Sequence, residues 1–416
     1  MSNLSRQKSP IAITGSGLLT GAGFGVEANW AETTSVDSGD GPFSLKSFPV
    51  ARHLSDRKLM KVVSLADAFG LAAFEQAMSS GGIVRGRIDP WTIGIYVGAQ
   101  PSRLVDNENY NDAINETRSP EGRWSELKFG RTMTGARPTS LLQGLPNNVL
   151  CYGAILADGR GPNSNYTTAE TSGLVALVNA VRRLRRGQIS VAVAGGYGAQ
   201  LDPVQTHITR QAGNLASDAL PLPFEGKGTR LGDAASFLIL ETEASAKRRN
   251  ASSNLAVVGI GMASDGGGPV ASRVSGDGAL AFRNAVVEAL RQCAEDGGFT
   301  LDQVGMLMPS ATGIQSIDAA ELGALNDVFG HQQEKPALAG STRRWGNVME
   351  AGGVGEIAMA FHLWQAVEVP ESWRVLPTSM NTAGFTTRWS REKSIAIVFR
   401  STPWGEVAAV AVEVVT

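Results

Sequence analysis

The chain has 416 residues, of which 43% are apolar and 18% are charged, and its formal net charge is −2. This balance is ordinary for a soluble globular protein and argues against a nucleic-acid-binding or polyanion-binding surface. No apolar run reaches the length of a membrane span, and the opening residues, MSNLSRQKSP, lack the apolar region of a signal peptide, so we expect a cytoplasmic protein that contacts no membrane.

The cysteines and histidines show no pattern typical of a reactive or metal-binding site. Cys151 and Cys293 are far apart and form no CxxC motif, and the four histidines have no mutual spacing. The sequence therefore predicts no metal, no cofactor and no Ser-His-Asp triad. Packing in the core is the expected role of both cysteines.

Taken in chain order, the predicted elements follow one plan twice. Each copy has an apolar strand with a Gly-x-Gly turn, then a helix, then a short strand, predicted at 10–20, 68–82 and 92–98 in the first copy and at 254–264, 281–298 and 303–308 in the second. The 49 glycines punctuate this alternation of strands and helices, as is typical of an α/β fold. The repetition predicts a duplicated fold.

The polar segment 243–253, EASAKRRNASS, is predicted to link the two copies, which gives halves at 10–250 and 251–416 packed into one body. The Gly-x-Gly pattern at 15–17 could also indicate a dinucleotide site. However, Thr20 stands where the third glycine of that motif belongs, and no acidic residue ends a second strand about 20 residues later. The pattern therefore argues against a nucleotide cofactor.

Residues 161–178 predict a strand, a tight turn and the start of a buried helix. This order forms a nucleophile elbow, which presents one side chain at a helix N-terminus, where the helix dipole and free N–H groups favour an anion. Glu170 occupies that position. A carboxylate cannot carry out the acyl chemistry of a thiolate, so this elbow lacks the expected nucleophile.

From about residue 10 to 413, the chain resembles the β-ketoacyl-acyl-carrier-protein synthases of the thiolase-like fold. The similar segments, in family order, are ITGSGLLT at the start, GPNSNYTTAETSG around the elbow, PSATGIQSIDAAE at 309–321, GSTRRWGNVMEAGGVGE at 340–356 and VFRSTPWGEVAAVAV at 398–412. The resemblance implies an α/β fold in which two pseudo-duplicated halves form a layered α-β-α-β-α body.

The same resemblance implies that the family's reactive groups are missing. The acyl-accepting Cys matches Glu170, and the two catalytic histidines match Ser310 and Asn347. The residue whose N–H completes the oxyanion hole matches Pro403, which has no N–H to donate. Loss of one such donor typically costs about 10²–10³ in rate. Beside it, Trp404 replaces a small glycine and is expected to fill the space a substrate needs.

Other positions of the family's site are retained: Asp318, Glu321, Glu356 and, at the family's lysine, Arg343, or Thr342 because that segment is one residue short. We expect an ion pair between Arg343 and Glu356. Glu170 is expected to be a structural anion held by helix N–H groups and paired with Arg343 or Arg344. The alternative is a general base whose pKa is raised by burial.

A ketosynthase-like chain without its Cys resembles the chain length factor of type II polyketide synthases. Those subunits form a heterodimer with an active ketosynthase and help to shape the tunnel that receives the growing chain. The resemblance implies a subunit with no activity of its own, which sets chain length in polyketide or fatty-acid-like biosynthesis. Its partners in this acyltransferase complex would be the active ketosynthase and an acyl carrier protein.

By the same resemblance, segment 138–152 belongs to the tunnel and the dimer interface, with Leu142, Leu145 and Leu150 as candidates for setting tunnel depth. Plain core packing is the alternative for each leucine. Better-known members of this group carry Gln at the Cys position. An ionised Glu cannot donate a hydrogen bond to an enolate, so malonyl decarboxylation is not expected of Glu170.

Two further interpretations stay open. One is a homodimeric enzyme of altered chemistry that uses Glu170 as general base or acid. The other is a carrier-protein-binding scaffold without a tunnel function. The arginine run at 182–186 is expected to stay solvated and to complement a helix dipole, with docking of an acidic carrier protein as the alternative.

Overall fold

The structure, a computed structural model, describes residues 9–31, 43–101, 114–132, 139–217, 223–266, 277–376 and 384–415. The strands in these ranges are β1 (Ile11–Thr20), β2 (Gly23–Phe24), β3 (Ile93–Ala99), β4 (Asn163–Tyr166), β5 (Val191–Ala199), β6 (Asp233–Thr242), β7 (Leu255–Ser264), β8 (Val304–Met308), β9 (Ala337–Leu338), β10 (Ile395–Ser401) and β11 (Glu406–Val414).

The α-helices in the same ranges are α1 (Val26–Trp30), α2 (Leu65–Ser80), α3 (Glu126–Thr132), α4 (Ser140–Gln143), α5 (Asn148–Ala157), α6 (Ser172–Arg185), α7 (Pro203–Gln211), α8 (Glu243–Arg249), α9 (Asp277–Gly297), α10 (Gln315–Phe329), α11 (Thr342–Trp345) and α12 (Gly352–Ala366). Short 3-10 helices lie at Val50–Arg52, Arg57–Lys61, Pro90–Thr92, Ala169–Thr171, Leu301–Gln303, Met349–Ala351 and Glu371–Trp373.

The strands form one mixed sheet in the order β4-β3-β5-β6-β1-β7-β11-β10-β8-β9, with β2 paired to β1. In the first half, β3 is parallel to β4 and β5, whereas β6 is antiparallel to β5 and β1. In the second half, β8 is parallel to β9 and β10, whereas β11 is antiparallel to β10 and β7. The same topology thus occurs twice, and the duplicated α/β fold is confirmed.

The two halves of the sheet meet where β1 runs antiparallel to β7, with Ile11 opposite Val257 and Ala12 opposite Ala256. They enclose a middle layer made by α6 and α12. In α6, the residues Leu174, Leu177, Val178 and Val181 follow the i, i+3, i+4, i+7 spacing of one helix face, and all of them are buried in the inner core.

Side chains of each strand alternate between the inner core and an outer core. In β6, Leu238 and Leu240 belong to the inner core, whereas Phe237 and Ile239 belong to the outer core under α2. A second outer core packs α9 and α10 against the other half of the sheet. The order of layers is therefore helix, sheet, helix, sheet, helix, which confirms the predicted α-β-α-β-α body.

The sequence suggested that the Gly-x-Gly pairs form turns, but in the structure they lie within strands β1 and β7. In β1, a Cβ on Gly17 would lie 1.8 Å from the carbonyl oxygen of Ala73 in α2. In β7, a Cβ on Gly261 would lie 2.1 Å from the carbonyl oxygen of Ala289 in α9. Glycine is needed at these positions because a helix crosses the strand at close range.

The segment predicted as a linker forms helix α8 instead. The Thr242 hydroxyl caps this helix by accepting from the N–H of Ser245 at 3.3 Å. At the other end, the Arg249 guanidinium pairs with the buried carboxylate of Glu241 and donates to the carbonyl of Gly81 at 2.9 Å. These contacts hold the helix on the body of the protein. The division at residues 250 and 251 stays a prediction.

One arginine of the run at 182–186 is not solvated. The Arg185 side chain is only 9% exposed, pairs with Asp296 at the end of α9 and donates to the carbonyl of Val258 at 2.8 Å. Asp296 in turn accepts from the N–H of Ile260 at 3.1 Å. This pair joins α6 to the second half of the molecule, so the run has a structural role at this position.

Substitution of the crossing glycines should be strongly destabilising. We expect Gly17→Ala and Gly261→Ala each to lower the free energy of unfolding by about 3 kcal/mol, because backbone must move to admit the methyl group. Gly130→Ala in exposed helix α3, where a Cβ meets no atom within 4 Å, is the control and should be neutral or stabilising. Urea unfolding measures the stability of all three variants. If all three changed the free energy of unfolding equally, the close approach of helix to strand at Gly17 and Gly261 would be contradicted.

Candidate functional site

The elbow has the predicted order of strand, turn and helix. Strand β4 leads into the 3-10 helix Ala169–Thr171, and α6 follows at once. Ala169 has φ of 50°, in the left-handed region that a residue with a Cβ adopts only at a cost. Bonds within the turn hold this geometry: the N–H of Thr168 donates to Ser172 Oγ at 2.7 Å, and Thr171 Oγ1 donates to the Thr168 carbonyl at 2.8 Å.

Glu170 is enclosed at this elbow and is 3% exposed. Its Oε2 atom has no hydrogen-bond partner among the residues that the structure describes. Burial raises the pKa of Glu170 to about 7, although its own backbone N–H and the charge of Arg400 lower it. Burial therefore favours the neutral acid up to about neutral pH, and the structural role expected of Glu170 stays a prediction.

The two arginines expected beside Glu170 point elsewhere. Arg343 lies 3.0 Å from Glu371 Oε1 and also donates to the Glu371 carbonyl. Arg344 donates to the carbonyl of Asn29 at 2.7 Å. Both belong to the single turn of α11, whose buried position is taken by Trp345 in the inner core, so the arginines face away from the core.

The ion pair predicted between Arg343 and Glu356 is wrong; the cation that pairs with Glu356 is Arg400. Arg400 Nη2 lies 2.8 Å from Glu356 Oε2, and both side chains are buried. Glu356 Oε1 accepts from the N–H and the hydroxyl of Ser341, both at 2.8 Å. Sequence reasoning missed Arg400, although a lone charged residue in the apolar strand β10 was a usable signal.

Three positions that were predicted to match the family's reactive groups meet in one place. Glu170, Ser310 and Asn347 line a cavity of about 10 Å³, together with Arg400 and Thr342. A cavity of this size has room for about one water molecule. The remaining lining residues are Thr312, Ser341, Gly346, Val348, Met349 and Gly352.

Behind the cavity, a second serine connects Ser310 to a buried carboxyl. Ser310 Oγ accepts from the N–H of Ser401 at 2.8 Å and lies 3.1 Å from Ser401 Oγ, which donates to Glu321. The other oxygen of Glu321 accepts from the N–H of Ala311 at 3.2 Å. Burial, with the nearby charge of Asp318, raises the pKa of Glu321 to about 7. No histidine takes part in this chain of contacts.

The retained carboxyl of Asp318 organises the loop before α10. It accepts from the N–H groups of Thr312 and Gly313, both at 2.9 Å, and of Phe224 at 3.0 Å. Burial raises the pKa of Asp318 to about 6 despite these bonds. Asp318 does not line the cavity, so its contacts assign it to the support of the loop that carries Ser310 and Thr312.

The Asn347 side chain stabilises the loop in which it lies by a hydrogen bond to the backbone. Its Oδ1 accepts from the N–H of Met349 at 3.1 Å, and Met349 has φ of 41°, in the left-handed region. The Asn347 carbonyl accepts from the N–H of Gly232 at 3.1 Å. The side chain therefore shapes the turn that leads into α12.

Pro403 and Trp404 form the tight turn between β10 and β11, which the N–H of Gly405 closes by donating to the Thr402 carbonyl at 3.0 Å. Trp404 is 58% exposed, and neither residue lines the cavity. The expectation that Trp404 fills a substrate's space is wrong, because this turn directs its indole to solvent.

The tunnel candidates separate into two groups. Leu142 and Leu145 are 42% and 43% exposed, whereas Leu150 is half-buried against the outer core under α2. Core packing thus accounts for Leu150 but not for the other two.

Cys151 on the same segment is exposed, which corrects its expected core role, whereas Cys293 is buried and burial raises the pKa of its thiol. Position 138 lies outside the described residues.

Within the described ranges, no group of three or more His, Cys, Asp or Glu side chains is placed to hold a metal ion. In that same part of the chain, no helix combines the length and the apolar character needed to cross a bilayer.

Comparison with known proteins places this geometry in context. The model of the β-ketoacyl synthase N-terminal domain matches residues 53–246, and that of the C-terminal domain matches 255–374. The chain is 26% identical over 374 residues to the 3-oxoacyl-[acyl-carrier-protein] synthase 2 of Vibrio cholerae, covering 83% of this chain and 84% of that protein.

It is also 27% identical over 344 residues to the tetracenomycin polyketide synthase ketoacyl synthase beta subunit of Streptomyces glaucescens, covering 77% of this chain and 78% of that protein. Among solved structures, the ishigamide ketosynthase/chain length factor is similar with a TM-score of 0.77 at 16% identity, covering 98% of this chain and 100% of that one.

The raised pKa of Glu170 should appear in the pH dependence of stability. Because the folded-state pKa of about 7 exceeds the ordinary value of 4.5, the folded state holds an extra proton between these pH values, and stability falls as pH rises through them. We expect Glu170→Gln to gain stability relative to the wild type from pH 5 to pH 8, by at most about 3 kcal/mol.

Urea unfolding at pH 5, 6, 7 and 8 measures this gain. Glu392→Gln, which removes an exposed carboxyl, is the control for the loss of one charge. A difference between Glu170→Gln and the wild type that stays constant across this range would show that Glu170 is ionised throughout.

Proposed function

Because the chain belongs to the β-ketoacyl synthase family and has its thiolase-like fold, we propose that it is a non-catalytic ketosynthase-like subunit. It pairs with an active β-ketoacyl synthase, shapes the acyl tunnel of the complex and sets chain length in polyketide or fatty-acid-like biosynthesis. The observation that carries this proposal is the cavity of about 10 Å³ at Glu170, Ser310 and Asn347.

The cavity argues against condensation by this chain alone. Small-molecule sites have volumes of roughly 300–1,000 Å³, so a space for about one water admits no acyl thioester. Ser310 is one of four residues that bring a hydroxyl to the cavity, and its oxygen is engaged by Ser401. Without a general base such as histidine beside it, a serine hydroxyl is a weak nucleophile.

The surface of the segment around α5 supports a role in pairing. From residue 139 to 157 the chain has no charged residue, and four of its apolar side chains are exposed: Leu142, Leu145, Cys151 and Ile155. Depletion of charge combined with exposed apolar groups is typical of the core of a protein–protein interface. We propose that this surface, called the uncharged face below, contacts the active ketosynthase.

The similarity to a polyketide synthase ketoacyl synthase beta subunit and to a ketosynthase/chain length factor favours the pairing role over the carrier-protein scaffold. In the proposed complex, an acyl carrier protein delivers the chain to the active subunit. The uncharged face offers no cation for an acidic carrier protein, which is a further reason to assign it to the ketosynthase.

A homodimeric enzyme that uses Glu170 is the second candidate. The pKa of about 7 favours it, because a general acid or base works best when its pKa lies near the operating pH. This candidate also requires the cavity to open for a substrate. Under it, Glu170→Gln abolishes turnover with folding unchanged, whereas in the subunit role the same change leaves the activity of the complex in place.

Co-expression with an active ketosynthase encoded alongside this chain tests the pairing role. We expect native mass measurement to show a one-to-one heterodimer, and we expect the chain alone to self-associate and to form no condensation product from malonyl-carrier protein. A stable homodimer that ignores the ketosynthase would favour the second candidate. Condensing activity of the chain alone would contradict the proposal outright.

Variants of the exposed leucines test the surface. We expect Leu142→Asp and Leu145→Asp each to weaken the heterodimer about tenfold or more, since a charge buried in an apolar interface is costly. Leu127→Asp, at a more exposed leucine on α3, is the matched control and should leave pairing unchanged. Analytical ultracentrifugation gives the affinities.

Bulkier Leu142→Trp and Leu145→Trp variants that still pair should yield shorter products, as mass spectrometry would show. Product length that stays unchanged would favour the scaffold interpretation.

A further inference from the structure

A buried polar cluster lies beneath the uncharged face, apart from the cavity at Glu170. Its members are Asp67 at the start of α2, Tyr197 in β5 and Asn148 at the start of α5, all of them buried. The Tyr197 hydroxyl donates to Asp67 Oδ1 at 2.8 Å, and Asn148 Nδ2 donates to Asp67 Oδ2 at 2.9 Å. One carboxylate therefore joins three elements.

The cluster reaches both ends of the turn that carries the exposed leucines. Asn148 Nδ2 also donates to the carbonyl of Leu142 at 2.8 Å. The Tyr197 hydroxyl lies 3.2 Å from the carbonyl of Pro146, so its single proton is shared between that carbonyl and Asp67. The turn from 142 to 146 is thus tied to the core at its first and last residue.

Asp67 is itself fixed in place. It forms a capping box with Ser64 at the start of α2: the N–H of Asp67 donates to Ser64 Oγ at 3.1 Å, and the N–H of Ser64 donates to Asp67 Oδ2 at 2.9 Å. The carboxylate cannot swing away without uncapping a 16-residue helix. It provides a rigid anchor for the other two side chains.

We infer that Asp67, Tyr197 and Asn148 are positioning residues that hold the turn 142–146 rigid, so that Leu142 and Leu145 are presented to the partner ketosynthase in a fixed geometry. This inference rests on the proposed function. It adds to the proposed function the side chains that hold the interface in place. It also specifies that the partner contacts this turn with an apolar protein surface.

The cost of the cluster supports a positioning role. Three polar side chains that satisfy one another in the interior contribute little net stability, and well-packed apolar side chains could replace them. Two of their hydrogen bonds go to backbone carbonyls of the turn 142–146, whose leucine side chains face solvent. Folding does not require such a turn to be attached to the core. A turn held before binding, by contrast, loses less conformational entropy when a partner docks.

The occupant follows from charge. Residues 139–157 include no charged side chain, in a chain of which 18% is charged. An acidic carrier protein, a nucleic acid or an anionic lipid surface would need cations here. An apolar protein surface matches Leu142 and Leu145, and we assign it to the proposed ketosynthase partner.

Asn148→Ala removes the bonds to Asp67 and to the Leu142 carbonyl, and Tyr197→Phe is the milder variant should the first fold poorly. Ser245→Ala is the control, because it breaks a buried 2.9 Å bond to Glu241 far along the chain from the turn. Amide hydrogen exchange of the chain alone is measured first. We expect exchange at 139–147 to rise about tenfold in the cluster variants and to stay unchanged in the control.

Affinity for the co-expressed ketosynthase is measured next. We expect it to fall about tenfold in the cluster variants and to be unchanged in Ser245→Ala. Unchanged exchange at 139–147 would overturn the holding role. Faster exchange with unchanged affinity would overturn the positioning role and leave the proposed pairing in place. A wild-type chain that does not pair at all would overturn both.

Discussion

Arg400 and Glu356 are two charged side chains inside the inner core, and either one alone would be very costly to bury. Together they connect β10 to α12. Through Arg400 Nη1, the pair also fixes the carbonyl of Pro309 at 3.0 Å, and through Glu356 it fixes Ser341. These contacts shape the loops that wall the cavity, so the frame of the site depends on this pair, and neither partner can be lost without leaving an uncompensated charge.

Around that pair the site consists of buried carboxyl and hydroxyl groups. Burial raises the pKa values of Glu170, Glu321 and Asp318 alike, and Arg400 is committed to Glu356. Near neutral pH the site therefore holds carboxyl groups that burial drives towards their neutral form, linked by serine hydroxyls and backbone N–H groups. Such a network fills space and satisfies most of its hydrogen bonds, but it offers no strong nucleophile.

The fold was largely predictable because its signals are local and repeated: two apolar strands with paired glycines, each followed by a helix and a short strand. What failed depended on contacts distant in sequence. Polarity at 243–253 indicated a linker, but a threonine cap and the ion pair of Arg249 with Glu241 make it a docked helix. The family resemblance put Arg343 beside Glu356, whereas the partner of Glu356 is Arg400, 44 residues after Glu356. No sequence pattern could show that Leu150 is half-buried, because this is decided by how α5 packs on α2.

The uncharged face has a consequence for gene dosage. A chain that exposes Leu142, Leu145 and Ile155 in a segment without charged residues is at risk of aggregation whenever it is made in excess of whatever covers that face. If the proposed ketosynthase covers that face, matched synthesis of the two chains would remove that risk by mass action. Selection would then act on the ratio of the two messenger RNAs as well as on the two protein sequences. An imbalance in expression could therefore be as harmful as a mutation in the interface.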